Sequence, residues 1–183
     1  MSKVFVELSM SLDGFVNDVN GSVEALYPDL GELRNSEMLQ EAMDKTGAVI
    51  MGRHSYEMAN GDFTGYEYQV PLFIVTHEVP KTVFKGENGQ LSFNFVTDGI
   101  VSAVRQAKAA AGDKDVTLVG GPDIIQQLLK AGLMDELQLG IMPVFLGSGL
   151  RLFEEITDGV KLEKVKLIES PGGRTDIYFH IVR

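Results

Sequence analysis

The sequence predicts an α/β protein in which a mixed, mainly parallel sheet is flanked by helices and ends in antiparallel strands. Up to residue 131, apolar runs of strand length alternate with stretches of helical periodicity. Beyond Asp135, polar and apolar residues alternate, as they do in strands with one solvated face. The chain has 183 residues, 44% apolar content and no linker-like stretch, so we expect one domain covering 1–183.

Five apolar segments predict strands that are covered on both faces, the usual situation in a parallel sheet. The first, KVFVELSM, is the longest and is largely apolar, yet it contains a carboxylate, Glu7. The five segments are 3–10, 48–51, 71–76, 93–97 and 116–119.

Helical periodicity predicts helices at roughly 30–45, 53–59, 99–111 and 122–131. Asp98 and Asp123 stand where residues that start helices belong, and Gly112 and Gly132 stand where helices end. Three later segments, DELQLGIMPVFLG, VKLEKVKLIES and RTDIYFHIVR, predict antiparallel strands added at the end of the sheet.

Composition excludes several classes of function. Sixteen basic and 26 acidic side chains give a net charge of −10, which disfavours nucleic acid as a partner. The first residues lack the order of a signal peptide, and no apolar run approaches the ~18 residues of a membrane span, so we expect a cytoplasmic protein without a membrane partner. The absence of cysteine excludes thiolate chemistry, and three dispersed histidines predict no metal site.

Three predicted strands end in corners of one form, each a strand followed by glycine or small polar residues. Free backbone N–H groups at a helix start, beside a guanidinium or hydroxyl, favour an anion. Glycines also let a ligand approach the backbone closely. The residues are Gly52, Arg53, His54 and Ser55 in VIMGRHSYE, Thr76 and His77 in LFIVTHE, and Gly120, Gly121, Pro122 and Asp123 in VTLVGGPD.

The carboxyl ends of parallel strands meet at one edge of a sheet, where ligands bind. The three corners therefore predict a nucleotide site on that edge. Each corner alone is also compatible with an ordinary turn that carries surface polar groups. No G-x-G-x-x-G is present, so the dinucleotide fingerprint of the Rossmann fold is absent and a cofactor has to be held in another way.

Taken together, MSLDGFV, VIMGRHSYE and GGPDIIQQLL resemble the dihydrofolate reductase-like superfamily. SLDGFV and PVFLGSGLRLF are similar to the branch that contains the reductase domain of the bifunctional deaminase and reductase of riboflavin synthesis. The resemblance runs from about residue 3 to 183. It implies a three-layer α/β/α sandwich, NADPH across the carboxyl edge of the sheet, and a homodimer built through the C-terminal strands.

Position by position, the resemblance assigns the corner at Gly52 to the adenosine phosphate and pyrophosphate of NADPH. It places Arg53 at the 2′-phosphate and His54 and Ser55 beside it. Thr76 and His77 correspond to residues that flank the adenine ribose.

The same resemblance brings the corner at Gly120 to the pyrophosphate and the nicotinamide ribose. Ser9 and Val16 match positions whose backbones hydrogen-bond the nicotinamide carboxamide. Asp123 departs from the pattern, because true dihydrofolate reductases commonly carry a basic residue there. A carboxylate at that point repels phosphate unless it caps the helix.

Two acids are candidates for the catalytic site. Glu7 is similar in position to residues that floor the substrate pocket, where riboflavin-pathway reductases usually carry lysine. A desolvated carboxylate has a raised pKa, which suits a proton donor; alternatively, Glu7 reaches solvent or pairs with a cation such as Arg53. Asp13 lies next to Gly14 in SLDGFV, where capping the turn is the better interpretation.

The resulting hypothesis is an NADPH-dependent reductase that passes hydride to a C=N or C=O bond of a small pterin-like or pyrimidine-like substrate, with Glu7 or a water completing protonation. Two alternatives stay open. One is the 5-amino-6-(5-phosphoribosylamino)uracil reductase of riboflavin biosynthesis, against which the acidic Glu7 argues. The other is a non-catalytic NADPH-binding module. Aromatic candidates for stacking on the substrate are Phe15, Tyr27, Tyr56 and Phe153.

Overall fold

A computed structural model describes residues 2–154, 156 and 159–183. Its strands form a single sheet of eight in the order β4-β3-β2-β5-β1-β6-β8-β7. The strands are β1 (Val4–Ser11), β2 (Thr46–Gly52), β3 (Leu72–Val75), β4 (Phe93–Val96), β5 (Asp115–Val119), β6 (Glu136–Met142), β7 (Lys161–Glu169) and β8 (Thr175–Val182).

The helices that cover the sheet are short except for one of 12 residues. They are α1 (Leu30–Arg34), α2 (Glu37–Lys45), α3 (Arg53–Glu57), α4 (Ile100–Ala111) and α5 (Pro122–Lys130), with 3₁₀ turns at Glu24–Leu26 and Pro171–Gly173. The predicted α/β architecture with a mainly parallel sheet is confirmed.

Two apolar cores lie on opposite faces of the sheet. Neighbouring residues of β2 alternate between them: Ala48 and Ile50 pack in the core that also contains α4 and α5, whereas Val49 and Met51 pack against an aromatic cluster. That cluster includes Tyr56, Phe63 and Tyr68 and is supplied largely by the segment between α3 and β3. Burial on both faces explains why the sequence of this strand is continuously apolar.

The predicted antiparallel strands at the end of the sheet are confirmed, but one of them, β6, also has a parallel neighbour. β6 runs parallel to β1, and only β8 runs antiparallel to its two neighbours. The polar residue that suggested a solvated face, Gln138, is 7% exposed and points into a cavity instead. Polarity in β6 therefore marks an internal site and not the outside of the sheet.

Several helix boundaries also differ from the prediction. The stretch 30–45 is broken between α1 and α2, where the Ser36 side chain accepts a hydrogen bond from the N–H of Leu39 and begins a new helix. Glycines, not the predicted aspartates, occupy the caps: Gly99 precedes α4 and Gly121 precedes α5. Asp123 lies in the first turn of α5 and makes no capping hydrogen bond.

The outer hairpin β7–β8 leaves apolar surface uncovered. Every residue of Lys161–Leu167 is exposed, although β7 contains Leu162, Val165 and Leu167. No helix in the described part of the chain is long and apolar enough to cross a membrane.

Candidate functional site

The three predicted corners lie on one edge of the sheet, because β2, β3 and β5 are mutually parallel and all end there. Two of the corners contact each other. A Cβ built on Gly120 would stand 2.5 Å from the Ser55 Oγ, and a Cβ on Gly52 would stand 3.1 Å from the side chain of Ile124. A side chain at Gly120 would displace the Ser55 hydroxyl, and one at Gly52 would press on Ile124, so the two corners pack closely and the expected convergence is confirmed.

The corner after β5 has the backbone form of an anion seat. Gly120 and Gly121 have φ of 72° and 74°, which other residues adopt at a cost. Within the described residues, the N–H groups of Gly121 and Asp123 have no protein acceptor, and α5 is a nine-residue helix whose N-terminus faces this edge. These donors suit a phosphate.

The end of β1 offers further free backbone. β1 pairs with β5 only as far as Glu7, opposite Val119, whereas its pairing with β6 continues to Ser11. The Lys3 carbonyl accepts from Val116 of β5, so backbone groups of odd-numbered residues in β1 point toward β5. The backbone of Ser9 therefore faces the gap that β5 leaves, as its expected contact with a carboxamide requires.

The charges around the corners after β2 and β5 are less favourable for binding a phosphate than the sequence suggests. Arg53 is exposed, and its Nε donates to Glu57 at 2.7 Å, which raises the pKa of Arg53. His54 is also exposed and lies 4.0 Å from the same carboxylate. Two carboxylates, Glu57 and Asp123, therefore lie at the corners proposed for the phosphates, and the Nε of Arg53 is already bonded to the first of them.

The other predicted cofactor residues occupy mixed environments. Thr76 is buried, and its hydroxyl donates to the Glu78 carbonyl at 2.9 Å, whereas His77 is exposed at the edge. The N–H of Val16 donates to the Leu150 carbonyl at 2.8 Å. At Val16, then, only the carbonyl remains for a ligand.

A cavity of about 230 Å³ opens beside this edge on the face of the sheet that carries α1 and α2. Val119 lines it directly before the glycine corner, so the cavity leads to the proposed cofactor edge. Its remaining lining residues are Glu7, Leu8, Ser9, Tyr27, Leu30, Leu33, Arg34, Met38, Leu39, Tyr66, Glu67, Tyr68, Gln138, Arg174 and Asp176.

Glu7 is half-buried in this cavity and accepts a hydrogen bond from the Tyr68 hydroxyl. Burial raises the pKa of Glu7 to about 7; the Tyr68 hydrogen bond lowers it, and the charges of Asp176 and Glu67 raise it further. Glu7 forms no ion pair with Arg53, which is bonded to Glu57, so the alternative pairing with that cation does not hold. Near neutral pH the carboxyl group exists in both protonation states.

Arg174 lies beneath the cavity and is 1% exposed. Its guanidinium donates to the Asp29 carboxylate at 2.9 and 3.1 Å, to the Leu26 carbonyl at 2.8 Å and to the Ser9 hydroxyl. Burial lowers the pKa of Arg174, but the hydrogen bond and charge of Asp29 hold it above its ordinary value. Four N–H donors of this cation are therefore engaged by the protein itself.

Asp13 lies outside the cavity lining. It accepts from the Ser11 hydroxyl at 2.5 Å and from the N–H groups of Leu146 and Gly147 at 3.1 and 2.8 Å. The Ser11 hydrogen bond lowers the pKa of Asp13. These contacts tie the loop after β1 to the loop after β6, which agrees with the turn-capping interpretation and gives Asp13 no contact with the reaction space.

Family comparison decides what this arrangement is. The pattern of the RibD C-terminal domain matches residues 2–173. The chain belongs to the RibD C-terminal domain family. The RibD family resemblance expected from the motifs is thus confirmed, and the solved structures agree with the expected dihydrofolate reductase-like fold.

Individual relatives agree with the RibD-family fold. The Bacillus subtilis protein YyaP, itself uncharacterized, is 27% identical over 97% of this chain and 94% of its own length. A Shewanella protein described as a putative riboflavin biosynthesis protein has a crystal structure that superposes on this one with a TM-score of 0.79 and 22% identity. The superposition covers 100% of each chain. The deaminase and reductase of Thermotoga maritima gives a TM-score of 0.74 at 14% identity, and the chain spans 57% of it.

Sequence reasoning missed most of the cavity wall in this RibD-family chain. Of the aromatic candidates, Tyr27 lines the cavity, whereas Tyr66 and Tyr68 were not singled out. Both lie between α3 and β3, outside regular secondary structure. Their only sequence signal was the spacing in GYEYQV, with two phenols flanking the acid Glu67.

Proposed function

We propose that this protein is an NADPH-dependent reductase that delivers hydride to a C=N or C=O bond of a small, flat heterocycle bound in the cavity at Glu7. The observation that carries the proposal is the position of this cavity. It begins at a carboxyl group of pKa about 7 and ends beside the glycine corner and the free end of β1. A proton source and a cofactor seat therefore adjoin each other.

The residues divide the work between binding and proton transfer. Bound NADPH supplies the hydride. The corners at Gly52 and Gly120 hold its phosphates, and the backbone of Ser9 orients the nicotinamide. Protonated Glu7 gives its proton to the substrate nitrogen or oxygen, and its pKa near 7 suits a general acid at neutral pH.

The cavity disfavours a phosphorylated substrate. Its acids are Glu7, Glu67 and Asp176. Among the described lining residues the two cations are already engaged, Arg34 with Glu67 at 2.7 Å and Arg174 with Asp29. An unphosphorylated, neutral or basic heterocycle fits this charge pattern.

The second candidate, reduction of 5-amino-6-(5-phosphoribosylamino)uracil, is favoured by the RibD family match and by the activity named for the Thermotoga protein. The acidic floor at Glu7 opposes the phosphate that this substrate carries. Oxidation of NADPH in the presence of the phosphorylated pyrimidine and of its phosphate-free analogue separates the two. Turnover of the phosphorylated compound alone would favour the second candidate.

Replacing Arg53 with alanine tests the cofactor seat. We expect NADPH to bind about tenfold more weakly, because a hydrogen bond to a charged group contributes about 1.5 kcal/mol at the low end, whereas NADH affinity stays unchanged. Fluorescence titration of both nucleotides measures this. Arg183→Ala is a matched control, since Arg183 is equally exposed and ion-paired, at 2.8 Å to Asp135, but lies at the opposite edge. Equal NADPH affinities in all three proteins would contradict the assignment.

We further propose that the protein forms a homodimer through the outer hairpin β7–β8. Support comes from the exposed apolar residues Leu162, Val165 and Leu167, which are 41–51% accessible. Light scattering is expected to give twice the chain mass of 20.0 kDa, and the double variant Leu162→Ser, Leu167→Ser is expected to be monomeric. A monomeric wild type would overturn this proposal.

A further inference from the structure

A carboxylate shares the guanidinium to which the 2′-phosphate of NADPH is assigned. Arg53 begins α3 and Glu57 ends it, and their spacing of four residues places both side chains on one face of the helix. The Arg53 Nε donates to Glu57 at 2.7 Å, and both side chains are exposed. A 2′-phosphate at this corner would therefore meet an ion pair and not an isolated cation.

The Arg53–Glu57 pair contributes little to the helix that carries it. In i, i+4 pairs, an acid followed by a base stabilises a helix more than the reverse order, and α3 has the reverse order. The base also lies at the positive end of the helix dipole and the acid at its negative end, where both charges are unfavourable. Since exposed ion pairs add little to stability in any case, α3 gains little from Glu57.

Part of the Arg53 guanidinium remains available for a phosphate. Within the described residues, its Nη1 and Nη2 groups make no hydrogen bond, so a phosphate can bind them while Nε stays bonded to Glu57. Two anions would then share one cation. The guanidinium carries a single positive charge, whereas a phosphate monoester and Glu57 together carry about three negative charges at neutral pH.

The other charges around Arg53 are mostly acidic as well. The hydrogen bond and the charge of Glu57 raise the pKa of Arg53, and the charge of Glu78, just after β3, raises it further. Asp123 lies in the first turn of α5 at the neighbouring corner, and the exposed His54 lies 4.0 Å from Glu57. A phosphate therefore gains less electrostatic stabilisation here than it would at an arginine without acidic neighbours.

We propose that Glu57 sets the nucleotide selectivity of this protein: it weakens the binding of NADPH at Arg53 and leaves the binding of NADH unaffected, so that both nucleotides are accepted. This inference rests on the proposed cofactor seat and adds a specificity-determining residue to it. NADH has a hydroxyl where NADPH has the 2′-phosphate, and it brings no second anion to Arg53. The preference for NADPH is therefore modest in the wild type and grows when Glu57 loses its charge.

Titration with NADPH and with NADH, followed by nucleotide fluorescence at low ionic strength, tests this role of Glu57. The wild type should prefer NADPH by about tenfold, the contribution expected of one hydrogen bond to a charged group. Glu57→Gln should bind NADPH about fivefold more tightly, the upper range for an exposed ion pair, and NADH as before. Glutamine keeps the size of the side chain and can still accept a hydrogen bond from Arg53.

Two further variants separate the role of Glu57 from a general change in charge. Glu41→Gln is the matched control, because Glu41 lies 3.9 Å from Lys45 in an exposed i, i+4 pair on α2. That helix ends where β2 begins, at the opposite edge of the sheet, so both affinities should stay unchanged. Adding Glu57→Gln to Arg53→Ala should have little effect on NADPH affinity, since Glu57 then shares no cation with the phosphate.

The inference is overturned if Glu57→Gln leaves the NADPH affinity unchanged, tightens NADH as much as NADPH, or has its full effect in Arg53→Ala. An equal gain in Glu41→Gln would overturn it too, because net charge alone would then explain the result. If neither nucleotide binds the wild type, the proposed cofactor seat fails and this inference with it. Binding of both nucleotides without any change in Glu57→Gln overturns the inference alone and leaves the cofactor seat standing.

Discussion

Arg174→Met is expected to lower the free energy of unfolding by about 3–5 kcal/mol, the usual cost of leaving one charge of a buried pair alone. The change removes the two hydrogen bonds from the guanidinium to Asp29 and the one to the Leu26 carbonyl. Asp29 is itself only 6% exposed. Asp29 would then be a buried carboxylate without a cation. Urea unfolding monitored by circular dichroism measures the loss.

Two controls separate charge from packing at Arg174. The double variant Arg174→Met, Asp29→Leu removes both charges and should recover most of the lost stability, because apolar replacement of a whole buried pair is often neutral. Arg34→Met breaks an exposed pair with Glu67 and should cost less than about 1 kcal/mol. Equal losses of unfolding free energy in Arg174→Met and Arg34→Met would refute the interpretation that Arg174 and Asp29 form a stabilising buried ion pair.

Glu7→Gln is expected to change how stability depends on pH. The pKa of Glu7 is raised from 4.5 to about 7, so the folded state holds this proton more tightly than the unfolded state. The contribution of Glu7 to the free energy of unfolding is therefore fully present below pH 4.5 and is lost as pH rises through 7. The difference between these two pKa values corresponds to about 3 kcal/mol in the free energy of unfolding. Glutamine cannot ionise, so the variant should be more stable than the wild type at pH 8 and similar at pH 4.5.

Unfolding titrations at several pH values test Glu7, with Tyr68→Phe as the companion variant. Removing the Tyr68 hydroxyl deletes the hydrogen bond that lowers the pKa of Glu7, so the pH dependence should move to higher pH. Once a substrate is found, Glu7→Gln should reduce turnover about 100-fold, the lower range for loss of a general acid. Parallel stability profiles in wild type and Glu7→Gln would show that Glu7 ionises freely in the folded protein.

The convergence of the three corners on one edge, the proposed cofactor site, could be predicted from sequence because it depends on local signals. Apolar runs identified the parallel strands, glycines marked where they end, and strand direction alone brings Gly52, Thr76 and Gly120 to one edge. The direction of β6 could not be predicted in this way, since a buried polar residue such as Gln138 looks the same in sequence as a solvated one.

The residues that line the cavity at Glu7 could not be predicted as a set, because their contacts join distant parts of the chain. Tyr68 and Glu7 are 61 residues apart, and Arg174 and Ser9 are 165 apart. Glu7 itself was identified as an acid in an apolar strand, but its hydrogen-bond partner comes from a segment without helical or strand periodicity. Such contacts follow from the tertiary structure and leave no pattern in the sequence.

The place of β1 between β5 and β6 has a consequence for synthesis of the protein. The ribosome makes β1 first, yet Val4 pairs with Val116 and Phe5 pairs with Glu136. This largely apolar strand of the nascent chain therefore has no hydrogen-bonding partner until β5 and β6 have been synthesised. Nonlocal pairing of this kind slows folding and prolongs the exposure of apolar segments. We therefore expect folding of the nascent chain to depend on chaperones.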